Sequence, residues 1–330
     1  MKHVWQKLKE KADKEQRPLF VLAPMADVTD AAFRRVIADR GNPDAMWTEF
    51  VSADGLARAD ALGKEKLMHG LLYSEKERPI IAQFFTSNPD YMRDAATLAK
   101  KLGFDGIDIN MGCPDRGVER QGAGAALCKT PDIAKALIRA AKEGAGNIPV
   151  SVKIRLGYNK DELETWLPEI LSEDPALVTV HARTRKEMSD VPARWDRIAR
   201  AVEIRNELKS PALIFGNGDA LDLLDADQKA RQSGADGVML GRAIFGNPWL
   251  FASLHGKQKE ITIEEKLLTL VEHSKLFMEL LGDVRNFAIM KKHYKAYVHG
   301  FDGSKELRIA LMETNSVEEV EKIVTDYINK

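Results

Sequence analysis

The chain has 330 residues, 44% of them hydrophobic, which is enough to build a buried core in a globular protein. Its 49 Lys and Arg balance 50 Asp and Glu for a net charge of −1, which excludes a uniformly basic nucleic-acid clamp and leaves only local basic patches. Two cysteines make no disulfide framework, the charged N-terminus lacks the apolar stretch of a signal peptide, and no apolar run approaches the ~18 residues of a membrane span, so a cytoplasmic location is expected.

In chain order, a polar helical segment over 1–17 comes first. An apolar run at Leu19–Ala23 then ends in Pro24, Met25 and Ala26, and Thr29-Asp30 caps a helix through Ile37. Ala45–Phe50 reads as a second strand with Glu49 at its end, and Pro79–Phe85 as a third with Gln83 inside it. Asn88-Pro89 starts a helix whose Ala95, Leu98, Ala99 and Leu102 share one face. A fourth strand, Phe104–Asn110, runs straight into Cys113-Pro114. Gly112, Pro114, Gly117, Gly122 and Gly124 mark residues 112–124 as a loop with little helix or strand tendency. Thr130-Pro131 opens a helix to about Gly144. Four more strands are expected at Pro149–Leu156, Leu177–Val180, Pro211–Phe215 and Asp236–Leu240, with helices between them at 161–173, Trp195–Leu208 and Ala220–Ser233. Eight apolar runs alternating with helices, without hairpin signals, predict a TIM (β/α)8 barrel over 18–254. From 255 to 330 no strand signal remains. Helices are expected at 262–281, 284–299, 303–313 and 316–329, the last with a Ser316–Glu319 capping box, forming a small C-terminal all-helical domain.

A TIM barrel builds its active site at the carboxyl ends of its strands. The residues delivered there include Pro24, Met25, Ala26, Gln83, Asn110, Cys113, Lys153, Arg155, His181, Asn217, Gly218, Asp219, Gly241 and Arg242. Each alone has an ordinary reading, since a lone Gln usually satisfies backbone and a lone Lys usually extends to solvent. Cys113 alone is either a small buried hydrophobe or a reactive group. The glycine-containing turns after strands seven and eight lie where such barrels bind phosphate, and an amide, an amine and an imidazole (Gln83, Lys153, His181) suit a planar electron-accepting heterocycle. Together these residues predict an FMN site. No metal is expected, because no His/Cys/Asp cluster has ligand spacing, and neither a Rossmann fingerprint nor a P-loop is complete.

With these residues in view, the chain resembles the tRNA-dihydrouridine synthase family. The matching stretches are Ala-Pro-Met-Ala at 23–26, Thr48-Glu49, Gln83, Ile-Asp-Ile-Asn-Met-Gly-Cys-Pro at 107–114, Gly-Ala-Gly-Ala-Ala-Leu at 122–127, Val-Lys-Ile-Arg-Leu-Gly at 152–157, Val-His-Ala-Arg-Thr-Arg at 180–185, Gly-Asn-Gly-Asp at 216–219 and Val-Met-Leu-Gly-Arg at 238–242. The resemblance implies an FMN enzyme, reduced by NADPH, that passes hydride to C6 of a tRNA uracil while Cys113 protonates C5. It also implies that 255–330 is a tRNA-binding domain. Asn110, Arg155, Arg183 and Arg185 are expected on the substrate side, and Arg285, Lys291, Lys292 and Arg308 against RNA phosphates. Basic residues exceed acidic ones over 183–205 and again over 283–310, which fits patchy RNA contact; a solvated helix face is the plainer alternative. One stretch departs from the family. Where members often carry a Gln and a Tyr-Gly pair, this chain reads Lys186 to Pro192 before Trp195, which bears on substrate contact there. Two rivals stand beside this reading: an FMN dehydrogenase of a free pyrimidine, of the dihydroorotate or dihydropyrimidine type, and an RNA-binding barrel without catalysis. No membrane association and no obligate protein partner are expected.

Overall fold

The strand runs carry side chains that alternate between the barrel interior and the surrounding helices, and both faces are buried, which is why the runs read as nearly continuous apolar sequence. The computed structural model describes residues 2–256 and 260–330. Its strands are β1 (Leu19–Leu22), β2 (Met46–Ser52), β3 (Ile80–Phe85), β4 (Gly106–Met111), β5 (Val150–Arg155), β6 (Leu177–His181), β7 (Leu213–Asn217) and β8 (Gly237–Leu240). They form one parallel sheet in the order β1-β8-β7-β6-β5-β4-β3-β2. The remaining seam closes through a parallel bridge of Val21 with Ala45, with Leu22 N–H donating to Ala45 C=O at 3.2 Å and Asp44 N–H to Phe20 C=O at 2.8 Å. This is a TIM barrel, as the alternation of strands and helices predicts.

The helices are α1 (Val4–Lys14), α2 (Ala31–Arg40), α3 (Ala53–Arg58), α4 (Ala61–His69), α5 (Pro89–Lys101), α6 (Arg116–Arg120), α7 (Pro131–Ala145), α8 (Leu163–Leu171), α9 (Trp195–Glu207), α10 (Leu223–Ser233), α11 (Ile263–Leu281), α12 (Met290–Tyr297), α13 (Ser304–Glu313) and α14 (Val317–Ile328). Several starts sit where cap chemistry puts them. The Asp30 carboxylate accepts from Phe33 N–H, and the Asn88 side chain from Asp90 and Tyr91 N–H ahead of Pro89. Ser316 caps α14 by accepting from Glu319 N–H, but the Glu319 carboxylate takes Asn315 N–H (2.7 Å), so only half of the expected box forms. The helices at 53–69 left no sequence signal because α4 buries no residue and so carries no apolar stripe.

Inside the barrel the inward-facing residues change character along the axis. Leu19, Val21, Trp47, Ile81, Leu177, Phe215 and Met239 make an apolar lower layer. The α1 helix closes that end. Its Trp5 stacks on Trp47 at 5.5 Å and meets Phe215 edge-on at 5.9 Å. Two positions on from Ile81, Leu177 and Phe215 stand Gln83, Thr179 and Asn217, with His181 two beyond Thr179, and β4 and β5 add Asp108, Ser151 and Lys153. The polar face therefore points to the carboxyl ends of the strands. Outside the barrel α11 packs against α2, and α12 to α14 pack on from α11.

Candidate active site at the carboxyl ends of the strands

A cavity of about 580 Å³ opens at this end. Ala23, Pro24, Met25, Lys153, His181, Arg183, Asn217, Gly218, Asp219, Gly241 and Arg242 line it, together with Ser189, Ala220, Leu221, Met239 and Ala243, which carry no sequence signal of their own. Its size suits a cofactor-sized ligand. Lys153 Nζ donates to Asn217 Oδ1 at 3.1 Å, and Asn217 Nδ2 donates to Met239 C=O at 2.8 Å. Burial, with Arg155 adding to it, lowers the Lys153 ammonium to about 8. Burial and the neighbouring cations hold His181 well below its ordinary value, so its imidazole is neutral at physiological pH.

The turn after β7 ends in Asp219, whose carboxylate accepts from Ala193 N–H (2.8 Å) and forms ion pairs with Arg183 and Arg242. Burial would raise this carboxyl, but the arginines outweigh it and hold it below its ordinary value. Gly218 sits at φ +121°, where an added Cβ would come within 2.8 Å of the Ala193 Cβ, so the turn requires glycine. With Asp219 paired twice, Lys153, Arg183 and Arg242 leave the cavity net positive, which favours an anionic ligand.

Cys113 lies in the loop after β4, outside the cavity lining but near enough to Lys153 for their charges to interact. Burial pushes its thiol above the ordinary value, so it carries its proton at neutral pH. Its N–H donates to Asn110 Oδ1 (2.9 Å), and its C=O accepts from Ala125 N–H (2.9 Å). The loop is more structured than its glycines suggest. Asp115 caps α6 by accepting from Gly117 and Val118 N–H, and a 3-10 turn covers Gly124–Lys129. Gly124, at φ +61°, packs so closely that an added Cβ would lie 2.7 Å from the Cys113 carbonyl oxygen, so here glycine serves close approach. Cys128 donates to Glu162, and burial pushes its thiol up to about 12.

Several polar candidates are engaged within the chain. Gln83, fully buried, donates to Asp108 (2.6 Å) and accepts from Asn110 (3.0 Å). Arg155 donates to the carbonyls of Gly112 (2.8 Å), Thr184 (3.0 Å) and Met188 (2.9 Å), tying the cysteine loop to the atypical 186–192 segment. Arg183 also holds that segment, through Val191 C=O at 2.6 Å. Arg185 pairs with Glu119 on α6 and lies over the Tyr158 ring. Arg285 reaches back from the helical region to the Glu49 carboxylate (3.1 and 2.7 Å), which also accepts Asp27 N–H at 2.6 Å. Arg308 donates to Val298 C=O, and Lys292 lies 3.9 Å from Asp27. Lys291 makes no ion pair among the described residues. The basic excess over 183–205 is largely answered by acids, with Arg194, Arg197 and Arg200 pairing with Asp161, Glu164, Glu187, Glu203 and Glu207. No group of three or more metal-ligating side chains occurs among the described residues. Among them, no helix is long and apolar enough to cross a membrane.

Three comparisons bear on this geometry. Residues 21–330 match the family described as Dihydrouridine synthase. A protein named probable tRNA-dihydrouridine synthase from Staphylococcus aureus (strain MRSA252) is 39% identical over 313 residues, covering 94% of this chain and 93% of that protein. The probable tRNA-dihydrouridine synthase 2 of Bacillus subtilis (strain 168) is 40% identical over 316 residues, 95% of each chain. Among solved structures, histamine dehydrogenase from Rhizobium sp. 4-9 superposes with a TM-score of 0.53 at 13% identity, over 78% of this chain and 48% of that one, a likeness of fold.

Proposed function

Since the chain belongs to the dihydrouridine synthase family, flavin-dependent oxidoreductases acting on uridine in tRNA, we propose that it binds FMN in the strand-end cavity and uses NADPH to reduce the C5–C6 double bond of specific tRNA uridines. The observation that carries the reading is the convergence of Lys153, His181, Arg183, Asn217 and Arg242 on one net positive cavity of about 580 Å³, with half-buried Cys113 in the loop after β4 near enough to Lys153 for their charges to interact.

The residues fit the cofactor. Asn217, Gly218, Gly241 and Arg242 would hold its phosphate, with Arg242 released from Asp219 to do so, and Lys153 and His181 would face its ring with donors. Reduced FMN, when bound, would supply the hydride for C6 of the uracil. The chain supplies the rest. Cys113 holds a proton for C5, and a thiol above its ordinary value needs no activating base to keep it at pH 7. Neutral His181 can donate to a carbonyl without adding a competing charge. Arg155 holds the cysteine loop against the 186–192 segment and so sets one wall of the uracil approach. A base in folded tRNA must leave its stack to enter a barrel mouth, and α11 to α14, with Lys291 and Lys292, would position the RNA for this.

The test is to measure flavin content and NADPH oxidation of the purified protein with unmodified tRNA and with free uracil or orotate. The reading expects bound FMN and turnover on tRNA alone. Turnover on the free pyrimidine would favour the small-molecule dehydrogenase. Protein that binds tRNA but neither holds nor takes up flavin would favour a non-catalytic barrel.

A further inference from the structure

Directly below Cys113, four buried side chains form one continuous chain of hydrogen bonds. Ser151 Oγ donates to Asp108 Oδ1 at 2.6 Å, and Gln83 Nε2 donates to Asp108 Oδ2 at 2.6 Å. Asn110 Nδ2 donates to Gln83 Oε1 at 3.0 Å, and Asn110 Oδ1 accepts from Gly112 N–H at 3.1 Å and Cys113 N–H at 2.9 Å. Asp108, Gln83 and Ser151 are each 0% exposed and Asn110 6%. Water has little access to replace any of these partners, so each mismatch would leave a buried group unpaired.

We propose that Asp108 is a positioning residue for Cys113: its carboxylate anchors the far end of this chain and, together with the backbone N–H groups of the turn, fixes its direction through Gln83 and Asn110, and so holds the turn that presents the thiol. The count of donors and acceptors dictates that direction. A carboxylate has no proton to give, so the Gln83 end facing it must be the NH2. That turns the Gln83 oxygen toward β4, where it can only accept, so Asn110 must present its NH2. The Asn110 oxygen is then left for the two backbone N–H groups of the turn. The backbone N–H groups of Gly112 and Cys113 demand the same direction from the other end, so the chain is anchored at both ends, and an apolar side chain at 108 would leave the buried Gln83 NH2 without its acceptor and free both amides to move. The neighbouring contacts hold the same segment from other sides, with Arg155 on Gly112 C=O and Ala125 N–H on Cys113 C=O. The Cys113 N–H, however, depends on this chain. The positioning role rests on the assignment of Cys113 as the proton donor, but its test does not.

Two measurements on the full-length protein test it, and neither needs tRNA or turnover. The first is the rate of iodoacetamide alkylation of Cys113, resolved from Cys128 by peptide mass spectrometry. In Asp108→Leu the Gln83 NH2 loses its acceptor and the turn loosens, so Cys113 should be alkylated about tenfold faster, as expected when a hydrogen bond or two that held it are lost, whereas Asp108→Asn, which keeps an oxygen toward Gln83 while Ser151 Oγ turns its proton to Ile107 C=O (3.1 Å), should stay near wild type. A residue with only a general structural role would lower the melting temperature and leave this rate at the wild-type value, which would overturn the proposal. The second is rescue. Asn110→Asp places carboxylates at both ends of the Gln83 amide, which can satisfy only one of them. Adding Asp108→Asn lets the whole chain run in the opposite sense with every bond kept. The double variant should therefore melt above Asn110→Asp alone. A double variant that melts at or below the single one would overturn the proposal. If wild type made no dihydrouridine while both results held, the functional reading would fail and the positioning chain would stand.

Discussion

Arg285→Ala removes a bidentate link between the helical region and the end of β2. The Glu49 side chain is 8% exposed and that of Arg285 21%, so the pair is largely withdrawn from water. Removing one partner of a fully buried pair costs about 3–5 kcal/mol, and the partial exposure of Arg285 reduces this to roughly 2–3 kcal/mol. For a chain of this size the melting temperature should fall by roughly 5 °C. The cost should depend on pH, and its sign is set by Asp30. This carboxyl has an unpartnered oxygen, and burial, then the Glu49 charge, raises it to about 6, while Arg285 pulls it down. A folded-state value above the unfolded one means that ionised Asp30 costs stability above pH 6, a cost relieved as pH falls from 6 toward the ordinary carboxylate value. Without Arg285 that cost grows. The deficit of Arg285→Ala, followed by thermal unfolding, should therefore be larger at pH 8 than at pH 5.5, and Glu49→Gln in the same background should recover part of it. A melting temperature within about 1 °C of wild type at both pH values would refute the reasoning, since a buried pair cannot be removed at that cost.

The same geometry implies three further outcomes. Lys153→Met should lower FMN affinity at least ~tenfold in a flavin titration, yet raise the melting temperature of flavin-free protein at pH 7 by roughly 2 °C, because the buried ammonium is costly. Its folded value of about 8 lies below the unfolded one, so that gain is present below pH 8 and should fade as pH rises past it. Trp5→Ala should cost about 3–5 kcal/mol in denaturant unfolding, while turnover per folded molecule stays unchanged, because the Trp5 stack closes the barrel end opposite the cavity. Charge reversal of Lys291 and Lys292 together should weaken tRNA binding and flatten its salt dependence by about two units of log–log slope, read by filter binding across salt concentrations.

The barrel was legible because a parallel strand buried on both faces leaves an apolar run, and helices left their own periodicity between the runs. Strand ends told where polar residues would gather, so Lys153, His181, Asn217, Gly218, Asp219, Gly241 and Arg242 converge on one cavity. What each polar group does with its donors was not legible, because the partners are distant in sequence. Nothing near Arg285 announces Glu49, 236 positions away, and nothing near Arg185 announces Glu119. Local excess of Lys and Arg over 183–205 suggested a free basic surface, but the acids that answer it lie partly on α8. The cysteine loop misled in another way. Its glycines suggested freedom, while Asp115 capping and the close approach of Gly124 to Cys113 order it. Trp5 reads as part of a polar segment, since a single aromatic in a charged helix shows no stripe until the barrel floor beneath it is known.

The central claim is that this chain reduces uridine in tRNA with Cys113 as the proton source. Mapping dihydrouridine position by position in unmodified tRNA, after incubation with NADPH and either wild type or Cys113→Ala, tests it most directly. The claim predicts dihydrouridine at defined positions with wild type and a loss of at least ~100-fold in rate for Cys113→Ala, with FMN still bound. No dihydrouridine from flavin-loaded wild type, or undiminished formation by Cys113→Ala, would contradict it.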